Sequence, residues 1–138
     1  MDNRLKALLI ALGEVGQKEI TGGENKRIIE YHSYTSLKAK EDEIPWCAAF
    51  VNWTLAMAGI NGTNSAAAKS FLNWGTATDT PSKGCIVIFD RGNNPAQGHV
   101  GFYISETPTH IYVLGGNQND EVNISKYPKS KLKGYRVY

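Results

Sequence analysis

The chain is poor in the residues that would staple or metallate a small fold. It has 138 residues and only two cysteines, Cys47 and Cys85, far apart in sequence. Two cysteines leave room for at most one pairing and make no disulfide scaffold. The three histidines, His32, His99 and His110, share no metal-ligand spacing with them, so no zinc site and no other metal is expected. Charge of one sign is also missing. Fifteen basic against 13 acidic residues give a net charge of +2, too little to point to nucleic acid. No apolar run approaches the roughly 18 residues of a membrane span. The opening MDNRLKALLIALGEVG holds only the six-residue run ALLIAL, followed by Gly13 and Glu14. It reads as an amphipathic helix rather than a signal peptide. A protein of this kind is expected to be made in the cytoplasm and to need another carrier to act outside it. There are no repeats and no low-complexity segments. The length fits one domain, 1–138, with a core of its own.

The first half of the chain reads as helices. Residues 2–12 form one, capped by Asp2 or Asn3, and ENKRIIEYHSY has helical spacing in Ile28, Ile29 and Tyr31 or His32. GEVGQKEITGGEN between them is a loop. Pro45 marks a third start. From Trp46 to Ala58 nearly every residue is apolar, Asn52 and Thr54 excepted, which describes a buried central helix closed by Gly59. SAAAKSFLNWG reads as a short helix capped by Ser65. The second half changes to short β-branched or alternating runs between turn residues: GCIVIFDRG, GHVGFYISE, HIYVLGG, EVNISKY and GYRVY. Helices and then strands in blocks predict an α+β fold, with N-terminal helices packed on a small antiparallel sheet.

In GHVGFYIS, His99 alternates away from Val100, Phe102 and Ile104. With ETPTH as the turn, hairpin counting sets Phe102 against Leu114 and Ile104 against Tyr112. Gly101 then faces Gly115, and His99 faces Asn117. Opposed residues have Cβ atoms roughly 4.5–5.5 Å apart, so Asn117 reaches the imidazole in this register. A slip of two places brings Asn119 there instead, at the expense of the Phe102 packing. The paired glycines would clear space for the helix that carries Cys47. A cysteine at a helix start, a histidine at a strand start and an asparagine on the paired strand form a nucleophile, a base and an orienting group. The helix terminus and an imidazolium favour the thiolate. The backbone N–H of Cys47 is placed to stabilise an oxyanion.

EIPWCAAFVNW, GHVGFYIS and VLGGNQND together resemble the signature segments of papain-like cysteine peptidoglycan hydrolases, the broad group that includes the CHAP and NlpC-type families. The similarity extends to EITGGENKRIIEYH and KYPKSKLKGYRVY, so it spans nearly the whole chain. It implies a papain-like fold and hydrolysis of an amide bond in cell-wall peptide, by an endopeptidase or an N-acetylmuramoyl-L-alanine amidase. Cys47 is then the nucleophile and His99 the general base. The third member falls in GNQN as Asn117 or, alternatively, Asn119. Trp46 and Gln118 become candidate substrate-binding residues. No cofactor is implied. The partner is peptidoglycan, the protein a monomer, and its delivery runs through a phage holin or a secretion machine. An acyltransferase using the same triad, or a non-catalytic wall-binding module, would share these features. Cys85 reads as a buried structural thiol, and His32 and His110 as helix-packing or surface residues. The basic run of Lys126, Lys129, Lys131, Lys133 and Arg136 reads as a solvated face, or as attraction to an anionic polymer.

Overall fold

The computed structural model describes residues 2–36 and 45–138. Glu43 and Ile44, which open the EIPWCAAFVNW segment, lie outside the described residues. Three helices come first: α1 (Asn3–Leu12), α2 (Lys26–His32) and α3 (Cys47–Met57). Asp2 caps α1 by accepting from the Arg4 N–H, and Asn25 caps α2 by accepting from Arg27 and Ile28. α3 ends as expected. Gly59 takes φ 80°, and the N–H groups of Gly59 and Ile60 return to the carbonyls of Ala56 and Leu55. This closes the helix with a left-handed glycine. The segment after Ser65 is a 3₁₀ helix, Ala68–Asn73, and not an α-helix. Ser65 bonds the N–H of Ala67 and so shapes the turn ahead of that helix instead of capping it.

Six strands follow: β1 (Thr76–Thr78), β2 (Ile86–Asp90), β3 (Gly98–Glu106), β4 (His110–Gln118), β5 (Glu121–Pro128) and β6 (Leu132–Val137). They form one sheet in the order β1-β6-β2-β3-β4-β5, every pairing antiparallel. The α+β expectation holds, with β1 an added edge strand that the sequence pattern did not announce. Helices cover one face. Ile86, Ile88, Val100, Phe102, Leu114 and Val122 pack there with α3, which is buried from Cys47 to Leu55. Tyr31 ties α2 to α3 by meeting the rings of Trp46, Phe50 and Trp53 at 5.9, 5.1 and 5.1 Å. The other face packs its own large side chains together, including Val87, Phe89, Tyr103, Val113 and Tyr135. Among the described residues, no helix is long and apolar enough to cross a membrane.

Three single-residue bulges reset the register, one of them between Ile88 and Phe89 where β2 pairs with β6. Phe102 faces Leu114 as counted, but Ser105 and not Ile104 faces Tyr112, because the β3–β4 pairing shifts between Tyr103 and Ser105. On β4 the pairing with β5 shifts between Gly115↔Asn123 and Gln118↔Glu121, leaving one residue too many on β4. Asn117 takes φ 56° within that bulge. A bulge of this kind reverses which residues share a face beyond it.

Candidate active site

The described β3–β4 ladder ends at Phe102↔Leu114, while β3 stays paired with β2 as far as Gly98. The start of α3 sits against this end of β3 and β4. Gly116 makes the approach feasible: a Cβ there would stand 2.6 Å from Trp46 Cζ3 and 2.7 Å from Phe50 Cβ. The glycine that admits the helix is therefore Gly116, and not the expected Gly101–Gly115 pair. At Gly101 the space is taken by Val113, and at Gly115 by the Gln118 amide, whose Oε1 would be 2.6 Å from a Cβ.

Cys47 is the first residue of α3, so its N–H has no intrahelical acceptor. Its thiol lies beside the His99 imidazole and the backbone N–H groups of Val100 and Ala48, all of which favour the ionised form. Burial pushes the thiol up. The His99 imidazole and those two N–H groups outweigh it and leave the thiol below its ordinary value. The positive end of α3 acts in the same direction.

The second ring nitrogen of His99 meets Gln118: Nε2 and Oε1 are 2.9 Å apart. Gln118 is only 3% exposed, and its amide nitrogen is fully occupied. Nε2 of Gln118 donates to Val113 O at 3.2 Å, Asn123 O at 2.8 Å and Asn123 Oδ1 at 3.0 Å. Turning the amide over would set its oxygen against three acceptors, so the orientation is settled by the network. Oε1 can only accept, hence His99 carries its proton on Nε2. Nδ1 is left with the lone pair, and it is the nitrogen available to the Cys47 thiol. Asn123 is held in turn: its Nδ2 donates to Gln118 O and Glu121 Oε1, and Ser125 donates to its Oδ1.

This corrects the expected third member. The β4 bulge at Asn117 carries Gln118, not Asn117, onto the side of His99. Asn119 and Asp120, at φ 55° and 63°, form the two-residue turn into β5, so Asn119 does not face the imidazole. Gln118 is in consequence no substrate contact, since every polar atom of its amide is spent inside the protein. Trp46 is corrected as well. It is fully buried, stacks on Tyr31 and donates its indole N–H to Glu19 Oε2 at 3.0 Å. A side chain in that position anchors the helix start and cannot wall a groove. Cys85 is buried and free on the sheet face turned away from the helices, its thiol raised by burial. His32 is buried in the last turn of α2, and His110 lies beside Thr109 at the start of β4.

Tyr127 completes the site and was not anticipated. Its ring stacks on His99 at 4.8 Å and on Phe89 at 5.0 Å, holding one face of the imidazole. Alternation along EVNISKYP offered the signal. Asn123, Ser125 and Tyr127 fall on one side of β5, the side that meets Gln118 and His99. Among the described residues no group of three His, Cys, Asp or Glu side chains could hold a metal ion.

Known proteins agree with this architecture. The solved structure of NlpC1 from Trichomonas vaginalis superimposes with a TM-score of 0.61 and 16% identity, over 99% of this chain and 44% of that one. An NLP/P60-family protein described as similar to a lipoprotein, from Staphylococcus aureus subsp. aureus Mu50, gives 0.56 and 16%, over 98% and 41%. At such identities the likeness is one of fold, here the papain-like NlpC/P60 fold. The chain spans less than half the length of either protein. No curated protein matches the chain. The model of the CHAP domain matches residues 39–117, more than half of the sequence and both Cys47 and His99. The chain thus belongs to the CHAP domain family.

Proposed function

We propose that the protein hydrolyses an amide bond in cell-wall peptide, with Cys47 as nucleophile, His99 as general base and acid, and Gln118 as the residue that fixes the His99 tautomer. The observation that carries this reading is the His99 imidazole held by the Gln118 carbonyl oxygen at 2.9 Å and lowering the thiol of Cys47 at the start of α3, inside a CHAP domain. His99 Nδ1 takes the proton from Sγ, and the imidazolium keeps its Nε2–H on Gln118. The thiolate adds to the amide carbon. The resulting oxyanion meets the free N–H of Cys47 at the start of α3. When the C–N bond breaks, Nδ1–H protonates the leaving nitrogen and a thioester remains on Cys47. Nδ1 then takes a proton from water, whose oxygen attacks the thioester. The acid leaves and the thiol is restored.

The test is digestion of purified sacculi in H₂¹⁸O, with mass spectrometry of the released fragments. Hydrolysis gives a new carboxyl group with one heavy oxygen. The mass of the fragment bearing the new amine assigns the bond to the stem peptide or to the lactyl–alanine link. A product without heavy oxygen, carrying an added amine instead, would replace hydrolysis by acyl transfer.

A further inference from the structure

Two of the three α-helices are closed at their start by a side chain, and the third is not. Asp2 caps α1 and Asn25 caps α2, whereas α3 follows Trp46 (φ −132°, ψ 19°), which makes no side-chain cap bond. A serine or aspartate at position 46 would accept from the second or third helical N–H, here that of Ala48 or Ala49. The Ala48 N–H is one of the groups beside the Cys47 thiol. The uncapped start therefore leaves the first turn of α3 to the chemistry, and another group has to hold the helix end in place.

Glu19 holds it from outside the helix. Its Oε2 accepts the Trp46 indole N–H at 3.0 Å. The indole ring also packs on Tyr31 and against Gly116. Glu19 is tied to the other half of the site as well. Its own N–H donates to Asp120 O at 2.9 Å, Lys18 pairs antiparallel with Glu121, and Gln17 O accepts from the Val122 N–H at 2.8 Å. Gln17 to Glu19 thus runs as a short strap along the start of β5 and the turn before it. Asn25 Nδ2 braces the strap, donating to Gln17 Oε1 at 3.2 Å and to Lys18 O at 2.9 Å. Asp120 belongs to the turn that follows Gln118, whose Oε1 holds His99. One residue is therefore bonded to the neighbour of the nucleophile and to the turn that carries the imidazole's partner.

We infer that Glu19 is a positioning residue for the proposed hydrolysis: through the Trp46 indole it sets where Cys47 stands relative to His99, while its N–H fixes the turn that carries Gln118. The inference rests on Cys47 acting as the nucleophile. It gives the role to the acceptor oxygen rather than to the carboxylate charge. The charge alone would act the other way, because a negative group near the helix start opposes a thiolate.

The experiment compares the full chain with Glu19→Gln, which keeps an acceptor oxygen, and with Glu19→Met, which keeps the length and loses the acceptor. Each is measured well below its melting temperature. Alkylation of Cys47 by iodoacetamide at neutral pH, followed by mass spectrometry of the peptide that contains it, reports on the thiol without any substrate. A soluble muropeptide gives kcat and KM. Misplacing a nucleophile is costly, so Glu19→Met is expected to slow alkylation and kcat about tenfold each with KM within about twofold, and Glu19→Gln to stay within about threefold of the wild type. The indole N–H resonances report the contact itself. Trp53 and Trp74 donate to Glu30 and to Asn61 O, so Glu19→Met should move the Trp46 resonance and leave those two in place. A folded Glu19→Met that alkylates and turns over like the wild type overturns the inference, since a contact that only stabilises would lower the melting temperature and nothing else. A Glu19→Gln as impaired as Glu19→Met overturns it too, by giving the role to the charge. Where Glu19→Met does not fold, Glu19→Asp withdraws the carboxylate by one methylene and is read in the same way. If the wild type cleaves no muropeptide, hydrolysis falls and alkylation alone decides this inference: slowed in Glu19→Met and restored in Glu19→Gln it stands, unchanged in both it is overturned.

Discussion

Gln118→Leu is the perturbation that isolates the orienting group. Leucine keeps the bulk but removes the carbonyl oxygen from His99 Nε2 and the amide nitrogen from Val113 O, Asn123 O and Asn123 Oδ1. Asn123 Oδ1 keeps the Ser125 hydroxyl; each buried polar group left without a partner costs about 1–3 kcal/mol, so with three such groups a stability loss of about 3 kcal/mol or more is expected. The catalytic loss has a separate origin. In the thiolate–imidazolium state the Nε2–H bond to Gln118 is charge-assisted, a class that contributes roughly 1.5–3 kcal/mol. At 1.36 kcal/mol per decade, kcat/KM for muropeptide cleavage falls about ten- to a hundredfold. Asn117→Gly is the control, because glycine accepts the φ of 56°. It should retain cleavage within about threefold, the loss of a residue that touches no reacting group. Both variants are assayed well below their melting temperatures. The reasoning is refuted if Gln118→Leu cleaves like the wild type, or if Asn117→Gly carries the larger loss.

Other perturbations reach the remaining parts of the site. The lowered thiol predicts that Cys47 alkylation by iodoacetamide titrates below the ordinary cysteine value of about 8.5. A lowered acid is ionised at lower pH, so the reactive fraction at neutral pH rises. In His99→Ala burial acts without its main opponent, and the midpoint should move up; an unmoved midpoint contradicts the pairing. Gly116→Ala drives a methyl into Trp46 and Phe50. A melting temperature lowered by the equivalent of about 1–3 kcal/mol is expected, and an unchanged one would show that the helix start is not seated there. Tyr127→Phe keeps the ring on His99 and should preserve kcat. Tyr127→Ala frees one face of the imidazole and should lower kcat more than it raises KM, with the difference checked by steady-state kinetics on a soluble muropeptide.

The strong patterns in the sequence carried the framework. The unbroken apolar run after Pro45 and the glycine at 59 define α3, because burial on all sides and a left-handed stop both leave local signatures. The Phe102–Leu114 register follows from a short turn and alternating apolar residues. What alternation cannot show is the insertion of one residue. The bulge at Asn117 depends on a positive φ that asparagine tolerates but does not announce, and it exchanges Asn117 for Gln118 beside His99. Three consecutive readings turn on that single step: the third group, the role of the Gly101–Gly115 pair and the freedom of Gln118 to meet substrate. Trp46 was ambiguous for another reason. An aromatic next to a nucleophile can line a groove or fill a core, and only the Tyr31 ring, the Glu19 carboxylate and the missing side chain of Gly116 decide for the core. Tyr127 was legible in principle from β5 alternation, once the side of β5 facing His99 is known.

The most direct measurement of the central claim is release of soluble fragments from purified sacculi by the wild type, Cys47→Ala and His99→Ala, each verified as folded. The account predicts release by the wild type and none above background by either variant. Release by Cys47→Ala at the wild-type rate would contradict thiol catalysis at α3. Intact sacculi in all three samples, from both Gram-negative and Gram-positive walls, would contradict cell-wall hydrolysis itself.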